Sequence, residues 1–451
     1  MTRSGQAPEM ILEKENCLSA YEWFKKAEAG KTPSWLASYR DEAIARFRDQ
    51  SFPTPQDEDW KYTSLEPLAK LAFASAGSQE PGRLSPASLQ NLLGKAAGPR
   101  MVFINGAYAP SFSDTSGLGA AKMTHLGNSW NSEGRLAERL WATGENPRLE
   151  IFADLNSAFL TDGMMLHLPE NHSAEKPVEF VYLVLAKNQN VLSSPRNLIV
   201  AEKGSRAVVV ERYLGPDGNP CFTNAVTDYV IRDGAAVEAY RIQKESRQAY
   251  HISTTHVSLG RQSRFVYYNM DLGGKLVRNQ LRVALEDEGG ECDLNGLYAA
   301  GEGQHIDNHT VIDHLKPYGT SRQLYKGILE GKSSAVFNGK IFVRQDAQKT
   351  DAAQKNKNLL LSPEAKVDTR PQLEILADDV KCAHGAAVGQ LSEEEIFYLR
   401  SRGIGVNEAK KVLTYGFAHE IMDKIGLAAV KDELEHWLED RLEAAPAKEE
   451  K

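Results

Sequence analysis

The chain is 451 residues long and carries a formal net charge of −8 from 53 basic and 61 acidic side chains. That balance argues against a general nucleic-acid binder, which shows a basic excess. With 41% hydrophobic and 25% charged residues the composition is that of an ordinary globular protein, long enough for two or three domains.

The opening stretch "MTRSGQAPEMILEKENCLSA" lacks the apolar run of a secretory leader. No later segment approaches the roughly 20 apolar residues that span a bilayer. No membrane partner is therefore expected, and the expected location is the cytoplasm.

Residues 1–100 read as an N-terminal helical domain. "SAYEWFKKAEAG" and "PSWLASYRDEAIARFRDQ" place apolar residues at three- and four-residue intervals and are closed by Gly30 and Pro53. "SQEPGRLSPASLQNLLGKAAGPR" ends the region with turn formers around one short amphipathic helix.

Residues 101–391 change character. Short runs rich in Val, Ile, Tyr and Phe, such as "VEFVYLVLA" and "DYVIRDGAAVEAYRI", are punctuated by Gly, Asp and Asn. Turns followed by strands recur with centres near Gly204, Gly234, Gln262, Gly290 and Gly319, in steps of 30, 28, 28 and 29 residues. A fixed period of this size in a strand-only region predicts a parallel β-helix, whereas a sandwich or barrel repeats its turns without one step.

Residues 392–451 return to helix. Ser392 and Glu395 form a capping box, and Gly403 closes the helix that follows. "NEAKKVLTYGFAHEIMDKI" and "VKDELEHWLEDRLEAA" come next, the latter with Val430, Leu434, Trp437 and Leu438 on one face. "APAKEEK" reads as a short disordered tail.

The four cysteines, Cys17, Cys221, Cys292 and Cys382, lie far apart without a CxxC pair. They suit neither a disulfide framework nor a self-contained zinc site. "GILEGKSS" is one residue short of a phosphate-binding loop between Gly327 and Gly331 and runs into a strand pattern, so it reads as a turn.

In "GQHIDNHTVIDHL" the residues His305, Asp307 and His309 alternate along a predicted strand and share a face. They suit either a metal or proton-handling ladder or a stacked polar surface; His314 is out of phase with them. Cys382 and His384 likewise share a face of an extended segment, and thiolate and imidazole are both good ligands for iron or zinc. Two ligands do not complete a site, and on a strand the pair is too far apart for a direct nucleophile–base bond. The residues alone leave a buried structural cysteine open as well.

Three stretches carry a resemblance: "EDWKYTSLEPL", "GQHIDNHTVIDHLKPYGTSRQLYKGIL" and "KCAHGAAVGQLSEEEIFYLRSRGI". With them the chain resembles, over essentially its whole length, the SufB/SufD family of iron–sulfur cluster assembly subunits. Two departures favour the SufD branch. "QKNKNLLLS" offers Asn356, Lys357 and Asn358 where SufB has a cluster-related cysteine, and "CAHGA" stands where SufB has an "EHEA"-like sequence.

The resemblance implies a right-handed parallel β-helix flanked by helical domains, and a non-enzymatic scaffold subunit. It implies pairing with SufB through the β-helices and with the ATPase SufC through the C-terminal helices. For the latter, Ile396, Phe397, Leu399, Arg400, Arg402, Leu413 and Phe417 are the contact candidates. His384 and Cys382 are then implied to hold a transient iron or iron–sulfur cluster at the SufB–SufD interface, with no cofactor tightly bound by the chain alone. ATP binding by SufC would pull on the helices after Ser392, and sulfur would arrive through SufB. Cys292 reads as a buried apolar residue. Without SufB, a homodimer is plausible. A reading from another class is a carbohydrate-active β-helix enzyme using the His305/Asp307/His309 face.

Overall fold

The computed structural model describes residues 9–75, 86–127, 129–131, 134–141, 150–186 and 189–444. The tail read as disordered, 445–451, lies outside the described residues. From Cys221 onward the chain alternates between two sheets. Cys221–Ile231, Tyr250–Leu259, Leu276–Leu285, His305–His314, Ser334–Val343 and Lys366–Ile375 stack in the first sheet. Ala236–Lys244, Arg264–Asp271, Glu291–Ala300, Thr320–Leu329, Asp351–Leu360 and Lys381–Gly389 stack in the second.

All of these pairings are parallel, each strand lying on its counterpart one coil away: His305 pairs with Ser334, and Thr320 with Asp351. Consecutive strands thus belong to opposite sheets, which is a parallel β-helix and not a sandwich of hairpins. Leu281, Leu294, Tyr298, Ile312, Tyr325 and Phe337 fill the space between the sheets.

One corner of the coil explains the repeat. Gly204, Gly234, Gln262, Gly289, Tyr318 and Lys349 all take positive φ there. Each donates its N–H to the turn of the next coil: Gly234 to Arg261 O at 2.8 Å, Gln262 to Glu288 O at 2.9 Å, and Tyr318 to Gln348 O at 2.9 Å. The left-handed residue turns its amide along the solenoid axis, so the corner becomes a ladder of its own.

Helices Lys14–Ala27 and Ser34–Asp49 form in the N-terminal region as their periodicity demands. Two further helices, Arg135–Trp141 and Ile151–Ala158, fall inside the stretch 101–391 that was read as β-helix. Phe152 and Leu155 pack with Tyr21, Phe47 and Leu68 over the outer face of the first sheet, against Phe222 and Tyr250. The spacing of Ile151, Phe152, Leu155 and Ala158 is helical, and its brevity between strand-rich runs conceals it.

Of the C-terminal helices Glu393–Arg400, Val406–Met422 and Ala428–Ala444, the last two cover the outer face of the second sheet, and the first packs on Val406–Met422. Ser392 Oγ accepts the Glu395 N–H at 3.3 Å, as the capping box requires. Ile421, Val430, Leu434 and Leu438 are fully buried against Ile242, Met270 and Leu297. Each such side chain is worth roughly 1.5–3 kcal/mol, so this layer is firmly seated. Residues 330–333 turn between two strands, so "GILEGKSS" leads into a strand where a phosphate loop leads into a helix.

Candidate functional site at the open end

The two ends of the solenoid differ. At the N-terminal end Ala107–Tyr108 folds back antiparallel on Arg100–Ile104, and Met10–Ile11 does so on Ala72–Ser75. At the other end the last coil, Lys366–Ile375 and Lys381–Gly389, has a neighbour on one side only. Both strands leave one row of backbone N–H and C=O groups unpaired within the chain. Ile375, Leu376 and Val388 add exposed apolar surface there.

Cys382 and His384 lie on this terminal strand. Cys382 pairs with Ala352 and His384 with Gln354, both of which are buried. Alternation along the strand therefore puts Cys382 and His384 on the interior side of the last coil. Cys382 is half-buried and packs against the core cluster, and burial raises its thiol pKa, which favours the protonated form. His384, two residues on, is exposed at the mouth. Among the described residues no three His, Cys, Asp or Glu side chains come together to hold a metal ion. A thiol and an imidazole thus stand two residues apart on an unpaired sheet edge.

Polar side chains line the interior behind this mouth. Gln323 Nε2 donates to Thr310 Oγ1 at 2.8 Å, and Gln354 Nε2 donates to Gln323 Oε1 at 2.6 Å. Beside them Asn356 Nδ2 donates to Tyr298 Oη at 3.0 Å, and Tyr298 donates to Asn358 at 2.5 Å. Deeper in, Asp271 accepts from Arg241 at 2.9 Å and from Asn279 and Asn308, while His251 bridges Arg241 and Glu245. Cys292 and Cys221 are buried, and burial pushes both thiols up.

His305, Asp307 and His309 do share the outer face of the first sheet, but the N-terminal segment covers them. Asp307 is 1% exposed; it accepts from Arg278 and from Thr63 Oγ1 and faces His309 Nε2 at 2.9 Å. His305 sits between Thr63 Oγ1 at 2.8 Å and Ser334 Oγ at 2.6 Å. Arg278 stacks on Trp60 at 3.7 Å from the ring centroid and donates to Asp59 O at 3.0 Å. The Arg278 guanidinium, ahead of His309, holds the Asp307 carboxyl well below the usual carboxylate range against the opposing effect of burial. Two of the stretches picked out in the sequence thus meet as a clamp, with Arg278 and Trp60 as parts not singled out. His314 faces inward, where burial pushes its imidazole down to about 4.

In the C-terminal helices the contact candidates divide. Ile396 is buried, and Leu399, Leu413 and Phe417 are half-buried. Phe417 lies under the Lys326 ammonium at 3.9 Å, and Lys326 bonds Glu420 at 2.6 Å. Phe397, Arg400 and Arg402 are exposed, Arg402 stacking on exposed Tyr398 at 4.1 Å. Phe397 at 71%, Tyr398 and Val412 leave an apolar surface that the described residues do not cover.

Comparison with known proteins gives concordant results. A family model described as "SUF system FeS cluster assembly, SufBD core domain" matches residues 184–417, and "SufBD protein N-terminal region" matches residues 13–180. An iron–sulfur cluster assembly SufBD family protein of Synechocystis is 34% identical over 418 residues, covering 90% of this chain and 91% of that protein. The iron–sulfur cluster assembly protein SufD of Escherichia coli is 31% identical over 386 residues, covering 85% of this chain and 87% of its own length. SufD of Bacillus subtilis is 28% identical over 285 residues, covering 62% and 64%.

Proposed function

The chain belongs to the SufBD family of iron–sulfur cluster assembly proteins and is SufD-like within it, and from that premise we propose that it is a non-enzymatic scaffold subunit whose open coil end pairs with SufB. The observation that carries the reading is the terminal strand Lys381–Gly389: an unpaired edge that presents Cys382 and His384 side by side. A second solenoid laid against this edge would continue both sheets and bring further ligands to the mouth. His384 and Cys382 would then hold iron or the nascent cluster, with Cys382 releasing its proton on coordination.

SufC, the separate ATPase, would engage the Phe397–Tyr398–Val412 surface. Motion of its dimer would reach the second sheet through the helix Val406–Met422, which Lys326 and Glu420 tie to the strand Thr320–Leu329. Alone, the chain would use the same edge to form a homodimer, binding no cluster tightly, and it would work in the cytoplasm. No helix of the described residues is long and apolar enough to cross a membrane.

The carbohydrate-active enzyme finds no support. The face assigned to its acid and base is sealed beneath residues 59–63, and the family is one of cluster assembly.

The test is anaerobic co-purification with SufB and SufC, then reconstitution with iron and sulfide, following visible absorbance in wild type and His384→Ala. We expect the complex in both and the chromophore in wild type only. Normal cluster building by H384A would remove His384 from the ligand set, and failure of the complex to form would sink the scaffold reading.

A further inference from the structure

Gln354 carries a buried acceptor that nothing else in the described chain fills. Its Nε2 donates to Gln323 Oε1 at 2.6 Å, and Gln323 is in turn anchored on Thr310. Opposite, a Cβ at Gly339 would collide with the Gln354 amide, so the absence of a side chain there is what admits the glutamine. The residue is 1% exposed, yet its Oε1 has no hydrogen-bond partner. Buried carbonyl oxygens are rarely left so.

The next residue along this column is His384, the register partner of Gln354 in the terminal strand. Cα partners in neighbouring strands stand about 4.8 Å apart, within side-chain reach of each other. Cys382 packs on the core from the same strand, which fixes the interior side as the one His384 shares. A neutral imidazole has one N–H to donate and one lone pair to offer, and the hydrogen bond made by one nitrogen decides which is which.

We propose that Gln354 is a positioning residue for His384. Its Oε1 accepts the imidazole N–H that faces the solenoid interior, fixes one neutral tautomer, and leaves the other nitrogen's lone pair pointing out of the mouth. Metal-binding histidines commonly donate their second nitrogen in this way. An amide carbonyl orients the ring without adding a negative charge beside the bound iron. The purpose of this arrangement rests on the reading of His384 as a ligand; the bond itself requires the exposed imidazole to turn inward, since in the structure Gln354 Oε1 is without a partner.

The tautomer is readable without any metal. In the full chain labelled with nitrogen-15 at histidine only, long-range proton–nitrogen spectra at alkaline pH report each ring nitrogen, and H384N identifies the His384 signals. Wild type should show a single tautomer. Gln354→Met, of similar volume but with no acceptor, should move both nitrogens toward the averaged positions of a freely exchanging ring, while Gln354→Glu keeps one tautomer. Should Q354M disturb the fold by circular dichroism, Q354N withdraws the acceptor by one methylene and carries the same expectation. An averaged ring in wild type, or an unchanged ring in the folded Met or Asn variant, overturns the proposal. If the tautomer responds as expected but H384A complexes still build clusters, the ligand reading fails and the positioning role stands.

Discussion

Asp307 is the place to break the clamp between the N-terminal segment and the solenoid. Asp307→Ala leaves the Arg278 guanidinium, 2% exposed, with the Trp60 face and one carbonyl for company. Removing one partner of a buried ion pair costs about 3–5 kcal/mol. Residues 58–63 can lift away and let water reach the arginine, so the penalty falls on opening of that segment and not on the sheet beneath. The lower end, about 3 kcal/mol, corresponds to faster local opening by roughly a hundredfold. Asp307→Asn keeps acceptors for Thr63 and Arg278 and loses only the charge, so about 1 kcal/mol and roughly fivefold are expected.

Hydrogen exchange followed by mass spectrometry reads this directly. The amides of Trp60 and Thr63, bonded to Asp57 O and Trp60 O at 2.9 Å, should lose protection in that order of severity, while Glu291–Ala300 keeps its own. Wild-type exchange around Trp60 in D307A, or equal loosening of Glu291–Ala300, would refute the clamp.

Two further outcomes are expected. Glu420→Ala strips the partner from Lys326, whose side chain is 3% exposed; because Glu420 itself is 43% exposed, the cost is about 1–2 kcal/mol, seen as roughly tenfold faster exchange in Val406–Met422. The double variant Lys326→Met/Glu420→Met should recover most of it, and unchanged exchange in E420A would show that the tie carries no load. His314, at about 4 against an ordinary 6.5, refuses a proton that the unfolded chain accepts, so its contribution is complete above 6.5 and falls by about 3 kcal/mol as the pH drops through that window. Urea midpoints across the window should therefore slope less in His314→Gln than in wild type, and parallel slopes would exclude His314 as the cause.

Much of the solenoid was legible because its corner is a local device. Gly204, Gly234 and Gln262 stand at the predicted turn centres, since a positive φ leaves a mark on residue choice. The next two corners fall one residue earlier than expected, at Gly289 and Tyr318, and at the second of them the following glycine, Gly319, serves another need. A Cβ at Gly319 would stand 2.6 Å from His314 Nδ1, so there the glycine makes room for a ring. Lys349 takes the same left-handed turn with no sequence signal at all.

The shared face of His305, Asp307 and His309 followed from strand alternation, and so did that of Cys382 and His384. What covers the first group could not be read, for Thr63 lies 242 residues from His305 along the chain and only the folded coil brings them together. Gln354 was equally invisible as a site residue: its interest lies in an unfilled oxygen, a property of packing and not of residue order.

The N-terminal and C-terminal ends of the solenoid make it polar, with a short antiparallel edge at one end and a long parallel edge at the other. A parallel stack with two free ends would add units indefinitely, each new member offering the next a fresh template. Here the two-residue antiparallel strands Met10–Ile11 and Ala107–Tyr108 cut the template at one end to a stub, while Lys366–Ile375 and Lys381–Gly389 leave a full-length one at the other. Edge-to-edge assembly, elsewhere a route to fibres, has its long parallel template at one end of this solenoid, the last coil Lys366–Ile375 and Lys381–Gly389.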